Sequence, residues 1–226
     1  LILRNAILID GSGDPAKRGD LAILNDRIMA VGDVGGLSAC KETNVGGNVI
    51  CPGFVDTHTH DDLALIKYPL MDCKVSQGVT TVVTGNCGIS IAPLKNYNTL
   101  PSPLDLLVDG ETQFFEKFTN YFDLISQEPP SLNSICMVGH TNLRVSCMNS
   151  YDRPAEKKEI LKMQKLLEQS LEEGVSGLST GLFYSPAKAA PTSEIIELAK
   201  IIYEYGALYT THMRDEGDKI VDSLRE

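Results

Sequence analysis

The stretch Pro52-Gly53-Phe54-Val55-Asp56-Thr57-His58-Thr59-His60-Asp61-Asp62 decides how the chain is read. It sets two of only four histidines one residue apart, straight after a short apolar run. On a strand, residues i and i+2 face the same side. If the strand continues through them, His58 and His60 converge and offer half of a metal site. A His-x-His pair alone is a weak signal. Its weight depends on what stands at the ends of the other strands.

Upstream of the pair, residues 1–51 read as β structure and as a domain of their own. LILRNAILID (1–10) is apolar and strand-like and stops at the turn-rich GSGDPAKRG (11–19). DLAILNDRIMAVG (20–32) holds two apolar runs around Asn25-Asp26, a hairpin signal. GGNVICPGFVD (46–56) leads into the histidine pair. A small antiparallel sheet is expected here.

Downstream, residues 52–226 change rhythm, and strand-like runs alternate with helical patterns. A helix is expected in LMDCKVSQG (70–78), then a β-branched strand in VTTVVTGNCG (79–88). TQFFEKFTNYFDLIS (112–126) has helical spacing, and SLNSICMVGHTNLR (131–144) reads as the next strand. The clearest helix is DRPAEKKEILKMQKLLEQSLEEG (152–174). Asp152 is placed to cap it, Pro154 suits its first turn, and Gly174 ends it. Ile160, Met163, Leu167 and Leu171 recur at helical spacing. VSGLSTGLFY (175–184) is a strand. TSEIIELAKIIYEYG (192–206) is a helix with Ile195, Leu198, Ala199 and Ile202 on one face. ALYTTHM (207–213) is a strand, and GDKIVDSLRE (217–226) opens a helix.

Five strand–helix units predict an α/β fold with a parallel sheet covered by helices. A doubly wound sheet and a TIM barrel both fit. No GxGxxG follows any of these strands, which counts against a dinucleotide-binding sheet. A full barrel takes eight units and about 250 residues, so five units predict the front part of a longer chain.

Bulk properties set the outer limits. Net charge is −10, with no basic patch, which argues against nucleic acid or an anionic membrane surface as partner. A hydrophobic fraction of 42% and a charged fraction of 22% are those of an ordinary globular protein. No apolar run approaches a membrane span. Six cysteines without CxxC spacing exclude a disulfide framework or zinc ribbon and favour a reducing, cytoplasmic setting.

The strand ends then fall into line. His58 and His60 close the first unit, Cys87 the second, His140 the third, Tyr184 the fourth and His212 the fifth. In a barrel such ends share one rim. Zinc takes imidazole nitrogen and thiolate sulfur, and a thiolate can bridge two metals. Cys87, between Asn86 and Gly88, is a candidate ligand. Cys40, Cys51, Cys73, Cys136 and Cys147 read as small buried hydrophobes. His140 is expected in a hydrogen-bonded supporting role. Asp56 can orient a ligand or satisfy backbone donors. Arg214, Asp215 and Glu216 read as an ion-paired loop that could also shape a pocket.

PGFVDTHTHDD, VTTVVTGNCGIS, GHTNLR, STGLFYSPA and THMRDEGD together resemble the N-acyl-D-amino-acid deacylases of the amidohydrolase superfamily. The resemblance runs through essentially the whole chain. It implies a TIM barrel plus a small β-sandwich built from both chain termini. It implies a tightly bound Zn²⁺ held by Cys87 and His212 with a sixth-strand histidine, and a weaker site of His58 and His60 sharing Cys87. It implies that Tyr184 contacts the substrate carboxylate and that an eighth-strand aspartate is the general acid/base.

Both of those further residues are expected beyond Glu226, so activity is expected of the complete protein rather than of this chain alone. The implied reaction is metal-assisted hydrolysis of the amide of a small N-acyl-D-amino acid, giving a carboxylate and a D-amino acid. Related hydantoinases and dihydroorotases carry a carboxylated lysine after strand four. Lys188 lies beyond the Tyr-Ser-Pro turn, so a bridging role falls to Cys87. The alternatives are a cyclic-amide hydrolase and a non-catalytic barrel homologue that serves as a binding module.

Overall fold

A computed structural model describes residues 1–94, 100–107 and 114–226. It divides into two compact units, Leu1–Gly53 and Phe54–Glu226.

In the first unit, β1 (Ile2–Leu8) lies between β2 (Lys17–Leu24) on one side and β4 (Glu42–Asn44) and β5 (Val49–Ile50) on the other. β3 (Arg27–Gly32) pairs outside β2. The β2–β3 hairpin turns at Asn25-Asp26, where Asn25 takes φ +54°, a conformation asparagine tolerates better than most residues. The sheet is mixed rather than antiparallel. β1 pairs antiparallel with β2, but β4 and β5 run parallel to β1. The segment between β3 and β4 carries the chain back so that β4 runs in the direction of β1.

The second unit is parallel throughout. β6 (Phe54–Asp56) pairs with β7 (Val79–Thr84), and β7 with β8 (Asn133–Cys136). β9 (Val138–Gly139) pairs with β10 (Gly177–Gly181), and β10 with β11 (Leu208–His212). A single residue, Met137, separates β8 from β9, so residues 133–139 join two three-stranded sheets.

Helices fill the connections: α1 (Ala64–Lys67), α2 (Asp72–Val75), α3 (Phe118–Gln127), α4 (His140–Cys147), α5 (Lys157–Glu172), α6 (Ser185–Lys188), α7 (Thr192–Tyr205) and α8 (Ile220–Arg225). A short 3₁₀ turn spans Leu104–Leu107. No helix among the described residues is long and apolar enough to cross a membrane.

The core sits between the sheets and their helices. Met163 and Leu167 of α5, Leu198 and Ile202 of α7, and Phe118 and Tyr121 of α3 pack against Val138 and Leu178. Met163, Leu167, Leu178 and Leu198 are fully buried, and each such side chain contributes about 1.5–3 kcal/mol. Ala199, expected on the buried face of α7, is half-buried; Ile201 is buried in its stead.

Several boundaries differ from the sequence reading, each for a local reason. Asp152 and Pro154 precede α5. Glu156 is its N-cap, in a reciprocal capping box with Glu159, which satisfies two end donors at once. The helix expected over 112–126 starts only at Phe118, and Thr112 and Gln113 lie outside the described residues. The helix expected over 70–78 is the single turn α2. GHTNLR is not strand: the chain turns helical at His140, and α4 buries His140, Thr141, Asn142 and Arg144 as fully as its leucine. Cys40, Cys51 and Cys73 are exposed, Cys147 is half-buried, and Cys136 is buried as expected.

Candidate metal centre

β6 ends at Asp56, so the strand does not continue through the histidine pair. His58 and His60 converge for another reason. Thr59 between them is pinned to β7: its N–H and its hydroxyl both donate to the Val83 carbonyl, at 3.1 and 3.0 Å. The buried Thr59 leaves both rings on the exposed side, 5.8 Å apart between centroids.

Cys87 follows β7 in the turn Gly85-Asn86-Cys87-Gly88. Its φ of +54° is uncommon for a residue with a side chain, and the surroundings enforce it. The Asn86 amide donates to Val83 O at 3.0 Å and to Thr57 O at 3.4 Å, and its carbonyl accepts from Thr210 Oγ1 at 3.2 Å. The Gly85 N–H donates to the buried Asp62 carboxylate at 3.3 Å. Ser179 Oγ accepts from Gly88 N at 3.0 Å and donates to Gly85 O, spanning the turn. Gly181 is obligatory beside it, because a Cβ there would lie 2.0 Å from the Cys87 carbonyl oxygen.

These constraints deliver the sulfur to the histidines. Cys87 Sγ lies 3.0 Å from His58 Nε2 and 3.7 Å from Nδ1 of His212, the last residue of β11. The donor atoms of His58, His60 and Cys87 all lie within 4.8 Å of one another. Zn–N and Zn–S bonds at tetrahedral angles put N and S about 3.6 Å apart, so two imidazoles flanking a thiol sulfur fit a zinc ion.

Electrostatics agree with the geometry. Burial, then the neighbouring His58 and His212, hold His60 below the ordinary imidazole range, which favours the neutral ligand form. Burial and then Glu216 push the Cys87 thiol up. A bound cation reverses that bias, because the thiolate is the ligand and the proton leaves on binding.

No family model matches the chain. Over 226 residues it is 48% identical to D-aminoacylase and 46% identical to N-acyl-D-aspartate deacylase, both of Alcaligenes xylosoxydans xylosoxydans. Each match covers 100% of this chain, and 46% and 45% of the relative. The chain thus spans about half the length of the curated relatives it matches. It superposes on a crystal structure of D-aminoacylase with a TM-score of 0.94 at 47% identity, covering 99% of this chain and 47% of that one. The chain is a homologue of the N-acyl-D-amino-acid deacylases.

N-acyl-D-glutamate deacylase from Bordetella bronchiseptica, solved with zinc and a phosphonate mimic of the tetrahedral intermediate, superposes at a TM-score of 0.92. It is 37% identical and covers 99% of this chain and 47% of that one. The L-hydantoinase of Arthrobacter aurescens, at 16% identity and a TM-score of 0.53, shares the fold alone.

In this deacylase homologue Tyr184 caps the N-terminus of α6, and its hydroxyl lies 3.5 Å from His212 Nδ1. It therefore borders the cluster, while Lys188, one turn on, is exposed. His140 stands apart from the cluster, fully buried. Its Nε2 meets Glu194 Oε1 at 2.9 Å, and Arg144 clasps the same carboxylate at 2.6 and 2.8 Å. The supporting role expected of His140 is what the structure shows.

Arg214 pairs with Glu226 at 2.6 Å, Asp215 accepts from the Gly217 and Lys219 amides, and Glu216 lies 3.3 Å from His212 Nε2. The sequence reading passed over Asp62, Asn86, Ser179 and Thr210, which set the Cys87 turn. Ser179 is 91 residues from Gly88, and no local pattern links them.

Proposed function

We propose that His58, His60, Cys87 and His212 hold Zn²⁺, and that the complete protein hydrolyses the linear amide of N-acyl-D-amino acids. In this reading the first unit is a β-sandwich portion, and β6 to β11 with their helices are the first five βα units of a TIM barrel. The observation that carries it is the Cys87 sulfur standing between His58 Nε2 and His212 Nδ1 at 3.0 and 3.7 Å. The deacylase relatives and their zinc-containing structure support the metal and the substrate class.

Bound zinc supplies a water of lowered pKa and polarises a carbonyl. The chain's own residues do the positioning. Cys87 supplies the anionic donor from a desolvated turn, where its charge acts at full strength. His58 and His60 supply two imidazole donors from the loop after β6. Tyr184 presents a hydroxyl beside His212, suited to donate to the substrate carboxylate. Its proton is retained at neutral pH, since burial and then the neighbouring Cys87 raise it above the ordinary phenol value. No residue of this chain is assigned as general acid or base; an aspartate at the end of an eighth strand is what the family resemblance implies for that role. A cytoplasmic setting keeps Cys87 reduced and free to ligate.

The test is Cys87→Ala. Zinc content and zinc affinity should fall together, with release of D-methionine from N-acetyl-D-methionine lost. Full zinc and full activity in that variant would sink the assignment. Hydrolysis of a hydantoin, with no amine released from the N-acetyl substrate, would move the protein to the cyclic amides.

A further inference from the structure

The histidine pair lies in a loop that leaves β6 at Asp56, where the pairing with Val82 ends, so something other than strand pairing must fix its far side. Asp56 precedes His58 and Asp61 follows His60. Both carboxylates turn to one cation, Lys74 on α2, with Nζ at 2.8 Å from Asp56 Oδ2 and 3.1 Å from Asp61 Oδ2. Lys74 is only 21% exposed, as is Asp61, and Asp56 is 34% exposed. The other Asp56 oxygen lies 3.4 Å from the His58 amide nitrogen, at the near end of the pair. Thr59 in the middle is tied separately to Val83. The segment is thus held at Asp56 by strand pairing, at its centre by Thr59 on β7, and across its two ends by one ammonium, which ties the strandless Asp61 side back to Asp56.

We propose that Lys74 is a positioning residue for the metal centre: by bridging Asp56 and Asp61 it holds the His58-Thr59-His60 loop in the shape that presents both imidazoles to Cys87. This rests on the zinc reading above. Outer partners that orient ligands are worth about 10–100-fold in metal affinity.

The geometry gives an unusual sign. Lys74 is a cation near a cation site, so its charge alone weakens metal binding, and removing that charge should strengthen it. A clamp works the other way. The experiment measures zinc dissociation constants of the full protein by chelator competition for wild type, Lys74→Met, Lys74→Gln and Lys74→Arg. Backbone order parameters of Thr59 and His60 are measured in the metal-free proteins.

Lys74→Met and Lys74→Gln should each weaken zinc about 10–100-fold. The loss should persist at 1 M salt, where the Debye length is about 3 Å. The Thr59 and His60 order parameters should fall. Lys74→Arg keeps both ion pairs within reach and should bind within about threefold of wild type, well short of that 10–100-fold loss. Two neutral variants are used so that aggregation of either leaves the other to decide.

Zinc binding in Lys74→Met and Lys74→Gln as tight as wild type or tighter, with unchanged order parameters, overturns this inference alone. A wild-type protein that takes up no zinc overturns the metal reading and this inference with it.

Discussion

Replacing Gly181 with Ala tests the coupling between fold and site most directly. A Cβ at this position would sit 2.0 Å from the Cys87 carbonyl oxygen, 2.8 Å from the Cys87 carbonyl carbon and 2.8 Å from Tyr184 Cδ2. Real Cβ contacts almost never fall below 3.0 Å, so the Cys87 and residue-181 backbones must separate by about 1.0 Å. Metal–ligand bonds tolerate about ±0.2 Å, and a 1 Å misplacement in a site costs about 100-fold in function.

Gly181→Ala should therefore weaken zinc by about 100-fold and cost about 1–3 kcal/mol of stability through overpacking. Chelator competition gives the first quantity, and urea unfolding of the metal-free protein the second. Gly206→Ala is the control. It ends α7 at φ +60° with nothing within 4 Å of the added carbon. It should cost about 1–2 kcal/mol in backbone strain alone and leave zinc untouched. If Gly181→Ala binds zinc as wild type does, the Cys87 turn is not held by this close approach and the reasoning fails.

Two further outcomes concern stability. Glu194→Ala leaves Arg144 buried without its carboxylate, and should cost about 3–5 kcal/mol; a urea-denaturation loss under about 1 kcal/mol, the surface-pair range, would contradict the buried network. Hydrogen bonds from Arg153 hold Glu159 at about 2 against an ordinary 4.5. The folded state binds that proton less readily than the unfolded chain, so the stabilisation is present above about 4.5 and is lost as pH falls toward 2. Wild type should lose stability more steeply than Glu159→Gln across that window, and parallel curves would refute the pairing.

Much of the second unit could be read because its signals are local. β-Branched Val79–Thr84 forms a strand, Met163, Leu167 and Leu171 share one helical face, and Gly206 stops a helix by taking a left-handed φ. What escaped is held by contacts distant in sequence or by polar residues where apolar ones are expected. α4 shows no apolar stripe, because much of its buried face is polar and paired through tertiary contacts. Asn142 takes both the N–H and the carbonyl of Ser90, and Arg144 takes Glu194 and three backbone carbonyls. The parallel return of β4 depends on a loop that carries no pairing pattern. The side chains that the structure brings together, His58, His60, Cys87 and His212, could be picked out as residue types at or just after strand ends. Why His58 and His60 converge could not, since the ties to Val83 and Lys74 are tertiary.

The backbone at Cys87 carries one more implication. At φ +54° the residue the turn itself would choose is glycine. Cysteine is held there against local preference, at a backbone cost of about 1–2 kcal/mol that glycine would not bear. A screen for folded-state stability alone would therefore favour glycine at this position, removing the sulfur along with the strain. Thermostabilised libraries of this protein should be sequenced at position 87 before any gain in melting temperature is accepted as harmless.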